Sequence, residues 1–214
     1  MCDHSQMSTS IAVIGGGIAG VSAAHHILEA DPGADVVLLE MEATLAQHTT
    51  GRSAALLLEN LGTASTRAIC SASLRFLRET PDGLADGPLL THRRVLHVGT
   101  TEQDSAIERM LADGASATTD TVEVDLDEAM RLFPPLRRDR LHRALVEPDS
   151  ADIDVGALHQ AFVRGFRRSG GRIATSTRVD AARPDGGGWR LDTTDGAVGV
   201  DLVVNAAGAW GDVV

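Results

Sequence analysis

Short apolar runs alternate with helically spaced apolar positions at both ends of the chain, while its middle is dominated by arginine-bearing helical patterns. Residues 11–14 are strand formers that lead straight into glycines. Beyond them Ile18, Val21 and Leu28, with Ala19, Ala23 and Ala24, repeat at helical spacing, which predicts strand, turn and helix in that order. Asp31-Pro32-Gly33 stops the helix. Residues 35–40 are then apolar between charged ends, as befits a central strand of a parallel sheet. Two parallel strands joined by a helix make a βαβ unit, for which a right-handed crossover is expected.

From about Glu42 to Ser150 the pattern changes, with helices predicted over residues 66–79 and 101–112 and strand-like pieces at 93–98 and 141–146. This stretch has the character of an insertion. Asp154 is then a candidate N-cap for a helix through Arg168, ended by Gly170-Gly171, and residues 172–175 return to a strand pattern. The runs 178–182, 189–193 and 198–204 are separated by "PDGGG" and "TDG", turn signals that predict a small meander followed by one more sheet strand. The expected organisation is a discontinuous α/β domain of residues 1–42 and 151–214, interrupted by an α+β segment, 43–150.

Charge narrows the partners: all nineteen basic residues are arginine against thirty acids, and the net charge of −11 opposes non-specific contact with nucleic acid. Cys2 and Cys70 cannot build a disulfide framework, and no Cys/His cluster points to a metal, so a reducing cytoplasm fits. Met7 is an alternative start. The first apolar stretch, broken by glycines and followed by His25-His26, is too short for a signal peptide or an integral membrane segment.

The chemistry begins at "GGGIAG", where Gly15, Gly17 and Gly20 stand at G-x-G-x-x-G spacing between a predicted strand and a predicted helix. In that context the first glycine permits a tight turn, the second lets the main chain approach a pyrophosphate, and the third allows close packing of helix on strand. N–H groups at the helix start then face the diphosphate. Glu40, twenty residues past Gly20 at the end of the second strand, is placed to accept ribose hydroxyls and to disfavour a 2′-phosphate. These features indicate a dinucleotide without choosing between NAD and FAD.

"HTTGRSAA" (48–55), "ADIDVGALHQ" (151–160) and "VVNAAGAW" (203–210) together resemble the FAD-dependent D-amino-acid oxidase (DAO) superfamily, particularly its D-arginine-dehydrogenase-like members. The resemblance implies FAD as cofactor and a Rossmann-like FAD-binding domain, a parallel sheet with a βαβ start and a small β-meander, carrying part of an inserted substrate domain. It implies that the loop after the second strand wraps the cofactor through Thr49, Thr50, Gly51, Arg52, Ser53, Ala54, Ala55 and Leu56. It also places Ala19 and Met41 around phosphate and adenosine. Val179 matches a strand residue at the adenine ring, although apolar packing explains it equally well, and Gly208 ends the last strand facing the cofactor. Because family members continue well beyond the position of Trp210, the chain is expected to be the N-terminal portion of a longer protein.

For function the resemblance implies hydride transfer from the CH–NH group of an amino acid to flavin, in the manner of a D-amino-acid dehydrogenase or oxidase, with oxygen or a quinone as electron acceptor. Where D-arginine-oxidising relatives follow "GRSAA" with His-Tyr, this chain has Leu56 and Leu57, and Val95 stands where they present a glutamate. A buried guanidinium without an acid is costly, so an apolar, small or N-methylated amino acid is expected instead. His48 borders the loop but is read as a surface or hydrogen-bonding residue, His25, His26 and His159 as packing or surface groups. Catalytic residues are not assigned. Two alternatives stay open: a 2-hydroxy-acid or glycerol-phosphate dehydrogenase on the same scaffold, and a dinucleotide-binding fragment without activity.

Overall fold

The computed structural model describes residues 8–60, 62–114 and 121–214; Cys2 and Met7 lie outside them, and Cys70 is a half-buried free thiol. In chain order the elements are β1 (Ser10–Ile14), α1 (Ile18–Ala30), β2 (Asp35–Leu39), β3 (Leu56–Leu57), α2 (Ala64–Arg78), β4 (Leu90–Gly99), α3 (Asp104–Gly114), β5 (Val122–Val124), α4 (Leu126–Leu132) and β6 (Arg143–Ile153). They continue with α5 (Val155–Arg168), β7 (Arg172–Ala174), β8 (Val179–Asp185), β9 (Gly188–Thr193), β10 (Gly196–Val200) and β11 (Leu202–Asn205). Two compact units result, one of residues up to Ala54 and from Val155 onward, the other of Ala55–Asp154.

In the first unit a parallel sheet has the order β11-β1-β2-β7. Its alternating residues serve two layers. Ala12, Ile14 and Leu39 pack on one face against Val179, Leu191 and Val200 of the antiparallel meander β8-β9-β10. Ile11, Val13, Val36 and Leu38 point to the other face and are equally buried, on the side crossed by α1, which in turn packs against α5. Gly165 makes that helix pair possible, because a Cβ there would lie 2.6 Å from the ring of buried His25.

The run 198–204, expected to be a single strand, is two. Asp201 breaks it: its carboxylate accepts the Ser10 N–H and hydroxyl, both at 2.7 Å, and its own N–H donates to the Ser10 carbonyl at 3.0 Å. The residues before it finish the meander, and those after it pair in parallel with β1. The two bonds from Ser10 hold the Asp201 carboxyl below the ordinary range of an aspartate.

In the second unit β6 runs on through Glu147 and Pro148 to Ile153, beyond the expected limit, and pairs with β3, β4 and β5. A register shift, with Arg93 opposite Ser150 and Val95 opposite Glu147, puts an extra residue on β6 and turns its period-two pattern over, so the strand pattern legible in the sequence stops at Val146. The expected helix over 101–112 begins as a 3-10 turn, Thr101–Gln103, before α3. Arg143 ties this region together by pairing with Glu123 at 2.6 Å, Asp104 at 3.1 Å and Glu108. Among the described residues no helix is long and apolar enough to cross a membrane.

Candidate functional site

The C-terminal ends of β1, β2 and β11 open into a cavity of about 380 Å3 within the first unit, where the strand ends of an open α/β sheet bind ligands. Three glycines shape the turn beside it, for different reasons. Gly15 has φ +106°, donates its N–H to the Leu39 carbonyl at 2.8 Å, and would bring a Cβ within 2.4 Å of the Ala206 carbonyl oxygen. Gly20 lies outside the cavity lining; a Cβ there would fall 1.9 Å from the Gly15 carbonyl oxygen, so it sets the closeness of α1 to the turn. Gly17 caps α1 in an ordinary extended conformation (φ −75°, ψ 178°), and a Cβ would meet only Thr50 Oγ1, at 3.2 Å. Its bare main chain faces the cavity.

Glu40 lines the cavity but is also part of its frame. The carboxylate is 8% exposed; Oε2 accepts the Gly16 N–H at 2.7 Å and Oε1 the Glu42 N–H at 2.9 Å. Each oxygen retains a further lone pair for a hydroxyl donor. Glu40→Gln leaves one acceptor oxygen for the two amides it now holds, and affinity for the FAD that the family resemblance implies is expected to fall roughly tenfold, the worth of one hydrogen bond to a charged group. Titration by flavin fluorescence quenching measures it; unchanged affinity would show that the carboxylate is dispensable.

The loop after β2 reaches the start of α1. Thr50 Oγ1 accepts the Ile18 N–H at 3.0 Å, and Thr49, Thr50, Met41 and Ala19 all line the cavity. Gly51 packs its main chain so tightly that a Cβ would lie 2.2 Å from the Ala46 carbonyl oxygen. Arg52, Ser53 and Ala54 are exposed and lie outside the lining, as does Ala55, whose carbonyl accepts the Ile153 N–H at 2.7 Å in the second unit. Leu56 and Val95 also belong to the second unit, both half-buried. Leu56 sits opposite Asp152 in the sheet, and Val95 opposite Glu147. Asp152 is engaged by Arg93 at 2.7 Å.

Val179 lines the cavity and packs in the core. Gly208 lines it too, but three residues past β11, in a 3-10 turn with φ +57°. The strand ends early because the Asn205 side chain folds onto the adjoining turn, accepting the Ala207 N–H at 3.2 Å and donating to the Gly211 carbonyl at 2.9 Å.

Several lining residues were not assigned to the cofactor by the sequence. His48 Nε2 lies 2.9 Å from Glu42 Oε1, and its ring centroid lies 4.6 Å from that of Trp210. Arg178 and Asp180, paired at 2.7 Å, flank Val179 at the rim. Gly16, between the fingerprint glycines, has its carbonyl 2.9 Å from Nε2 of buried His159, on α5. The "ALHQ" string held that histidine, but only the fold brings it to the turn. Away from the cavity His25, His26 and Glu29 gather three donor atoms within 4.8 Å. A metal-bound imidazole donates its second N–H to an acceptor, whereas Nδ1 of His25 is buried without a partner beside Gly165, so the surroundings do not support an ion there.

Comparison with known proteins gives this cradle a context. The family model described as DAO, FAD dependent oxidoreductase, matches residues 10–214. Mitochondrial dimethylglycine dehydrogenase of Rattus norvegicus is 27% identical over 201 residues, 92% of this chain and 23% of that protein. L-2-hydroxyglutarate dehydrogenase of Indibacter alkaliphilus is 24% identical over 216 residues, 97% of this chain and 52% of that protein. The crystal structure of glycine oxidase from Geobacillus kaustophilus has the same fold, with a TM-score of 0.81 at 20% identity over 96% of this chain and 57% of that one. The chain thus spans between about a quarter and somewhat over half the length of these relatives.

Proposed function

The chain belongs to the DAO family of FAD-dependent oxidoreductases, and on that premise we propose that it forms part of an enzyme oxidising the CH–NH group of a small amino acid. The observation that carries this reading is the cradle itself: main chain left bare by Gly17 at the start of α1, beside a carboxylate with spare lone pairs, at the strand ends of a parallel sheet. A bound FAD would be held by the main chain of Gly15, Gly17 and Ala19 at its diphosphate and by Glu40 at a ribose. Met41 and Val179 would lie beside the adenosine, Thr49 and Thr50 would close the loop, and Gly208 would permit close approach. When bound, FAD supplies the hydride acceptor for the amine-bearing carbon.

The substrate class is a D-amino acid with a small or apolar side chain, or an N-methylated one. A cationic side chain buried without an acid is disfavoured; Leu56 and Val95 offer none, and the acids opposite them, Asp152 and Glu147, are already engaged by Arg93 and His97. Relatives named for dimethylglycine and glycine support a small amine. Oxygen or a quinone accepts the electrons, and free Cys70 suits the reducing cytoplasm. A relative named for L-2-hydroxyglutarate favours a second reading, oxidation of a 2-hydroxy acid.

The test is anaerobic mixing of the whole natural chain, loaded with FAD, with glycine, N-methylglycines, small D-amino acids and 2-hydroxy acids. Flavin bleaching by the amines alone supports the proposal, and bleaching by hydroxy acids alone selects the second reading. A protein that takes up no FAD would be a fragment without activity.

A further inference from the structure

We infer that His159 is a positioning residue for the diphosphate turn, holding the Gly16–Gly17 peptide in the orientation that offers an N–H rather than a carbonyl to the ligand. The inference rests on the FAD reading of the cavity. Gly16 and Gly17 both lack side chains, so the peptide between them can rotate by changing ψ of one and φ of the other with little steric resistance. Such a rotation would exchange an N–H for a carbonyl oxygen at the place where two negatively charged phosphates must come close. Something has to oppose it.

The partners of Gly16 supply that restraint from three separate segments. Its N–H donates to Glu40 Oε2 at 2.7 Å, fixing one side of the residue. Its carbonyl accepts from His159 Nε2 at 2.9 Å and from the Ala46 N–H at 3.2 Å. The imidazole is 3% exposed and lies outside the cavity lining, so the carbonyl points into the protein toward α5. In a trans peptide the carbonyl and the following N–H point in opposite directions. With the Gly16 oxygen held by His159, the Gly17 N–H is turned away from α5, to the side where Gly17 borders the cavity.

The tautomer is set by the acceptor. A carbonyl oxygen can only accept, so Nε2 must carry a proton, as it does in one neutral tautomer and in the imidazolium. Without His159 the buried Gly16 oxygen would keep only the longer bond from the Ala46 N–H, in a place water does not reach freely. His159 lies outside the cavity lining and acts through the glycine turn.

Two measurements test this. His159→Phe keeps an aromatic ring without a donor and should weaken FAD binding about tenfold or more, while His159→Gln, whose amide can donate from a similar position, should stay within about threefold of the parent. Rescue by glutamine separates a donated hydrogen bond from mere filling of space. Long-range proton–nitrogen NMR on the unsubstituted apoprotein reads the tautomer and should find the proton on Nε2. Equal losses in both variants, full affinity in the phenylalanine variant, or a neutral ring protonated at Nδ1 would each overturn the inference; the last holds even if a variant fails to fold. A parent that takes up no FAD sinks the reading of the cavity and the inference with it, a result distinguishable from failure of the variants alone.

Discussion

Gly17→Val should yield a folded protein that no longer takes up FAD, with affinity reduced about a hundredfold or more. The substitution is mild for the fold. Gly17 has φ −75°, which any residue adopts, and its Cβ would meet only the Thr50 hydroxyl at 3.2 Å. As an N-cap valine is poorer than glycine, at a cost of about 1 kcal/mol. The branched side chain, however, stands where the main chain borders the cavity and would keep a diphosphate from the N–H groups of the turn. Losing two hydrogen bonds to a charged group, at roughly 1.5 kcal/mol each, accounts for a factor of about a hundred before any clash is counted. Fluorescence titration with FAD, beside a thermal melt of the apoprotein, gives both numbers. Normal affinity in a folded variant would mean that the cofactor does not approach at Gly17.

Gly20→Ala should do the reverse, lowering the stability of the apoprotein by about 3 kcal/mol whether or not FAD is present. On helix propensity alone alanine would be favoured by about 1 kcal/mol. Packing decides against it, because the new Cβ would lie 1.9 Å from the Gly15 carbonyl oxygen, a backbone atom that cannot swing aside. Either α1 moves off β1 or the turn opens. Gly15→Ala should behave similarly, since it adds a positive φ of 106° to a 2.4 Å approach to Ala206. Urea unfolding of the apoproteins checks both; a Gly20→Ala variant as stable as the parent would show that α1 has room to shift. The three fingerprint glycines are thus held to glycine by different surroundings: Gly15 and Gly20 by close backbone contacts, Gly17 only by the cavity it borders.

That division shows what the sequence could and could not convey. The spacing of Gly15, Gly17 and Gly20 between strand and helix placed the turn, and apolar runs at each end of the chain placed β1, α1, β2, α5 and the meander. Elements held by partners rather than by their own pattern were missed. β3 has two residues and β5 three, too few for a period to appear, and both exist because β6 offers them an edge. The break at Asp201 depends on Ser10, 191 residues away. At the site, the contributions of His159 and Glu40 to Gly16 depend on contacts spanning 143 and 24 residues, which no local motif encodes. Arg52 to Ala54 illustrate the opposite case, with a family-like string in a loop whose middle reaches the cavity while its end does not.

The pairing of β1 with β11 carries a consequence for biosynthesis. One edge of β1 meets β2 almost as soon as both are made, but the other waits for residues 202–205. At roughly 5 to 20 residues per second, the nascent chain leaves the ribosome with the N–H and C=O groups of that edge unmatched for about ten to forty seconds. An open strand edge is a template for the wrong neighbour. Shielding of the emerging N-terminal segment until residues 202–205 arrive should therefore raise the yield of folded protein.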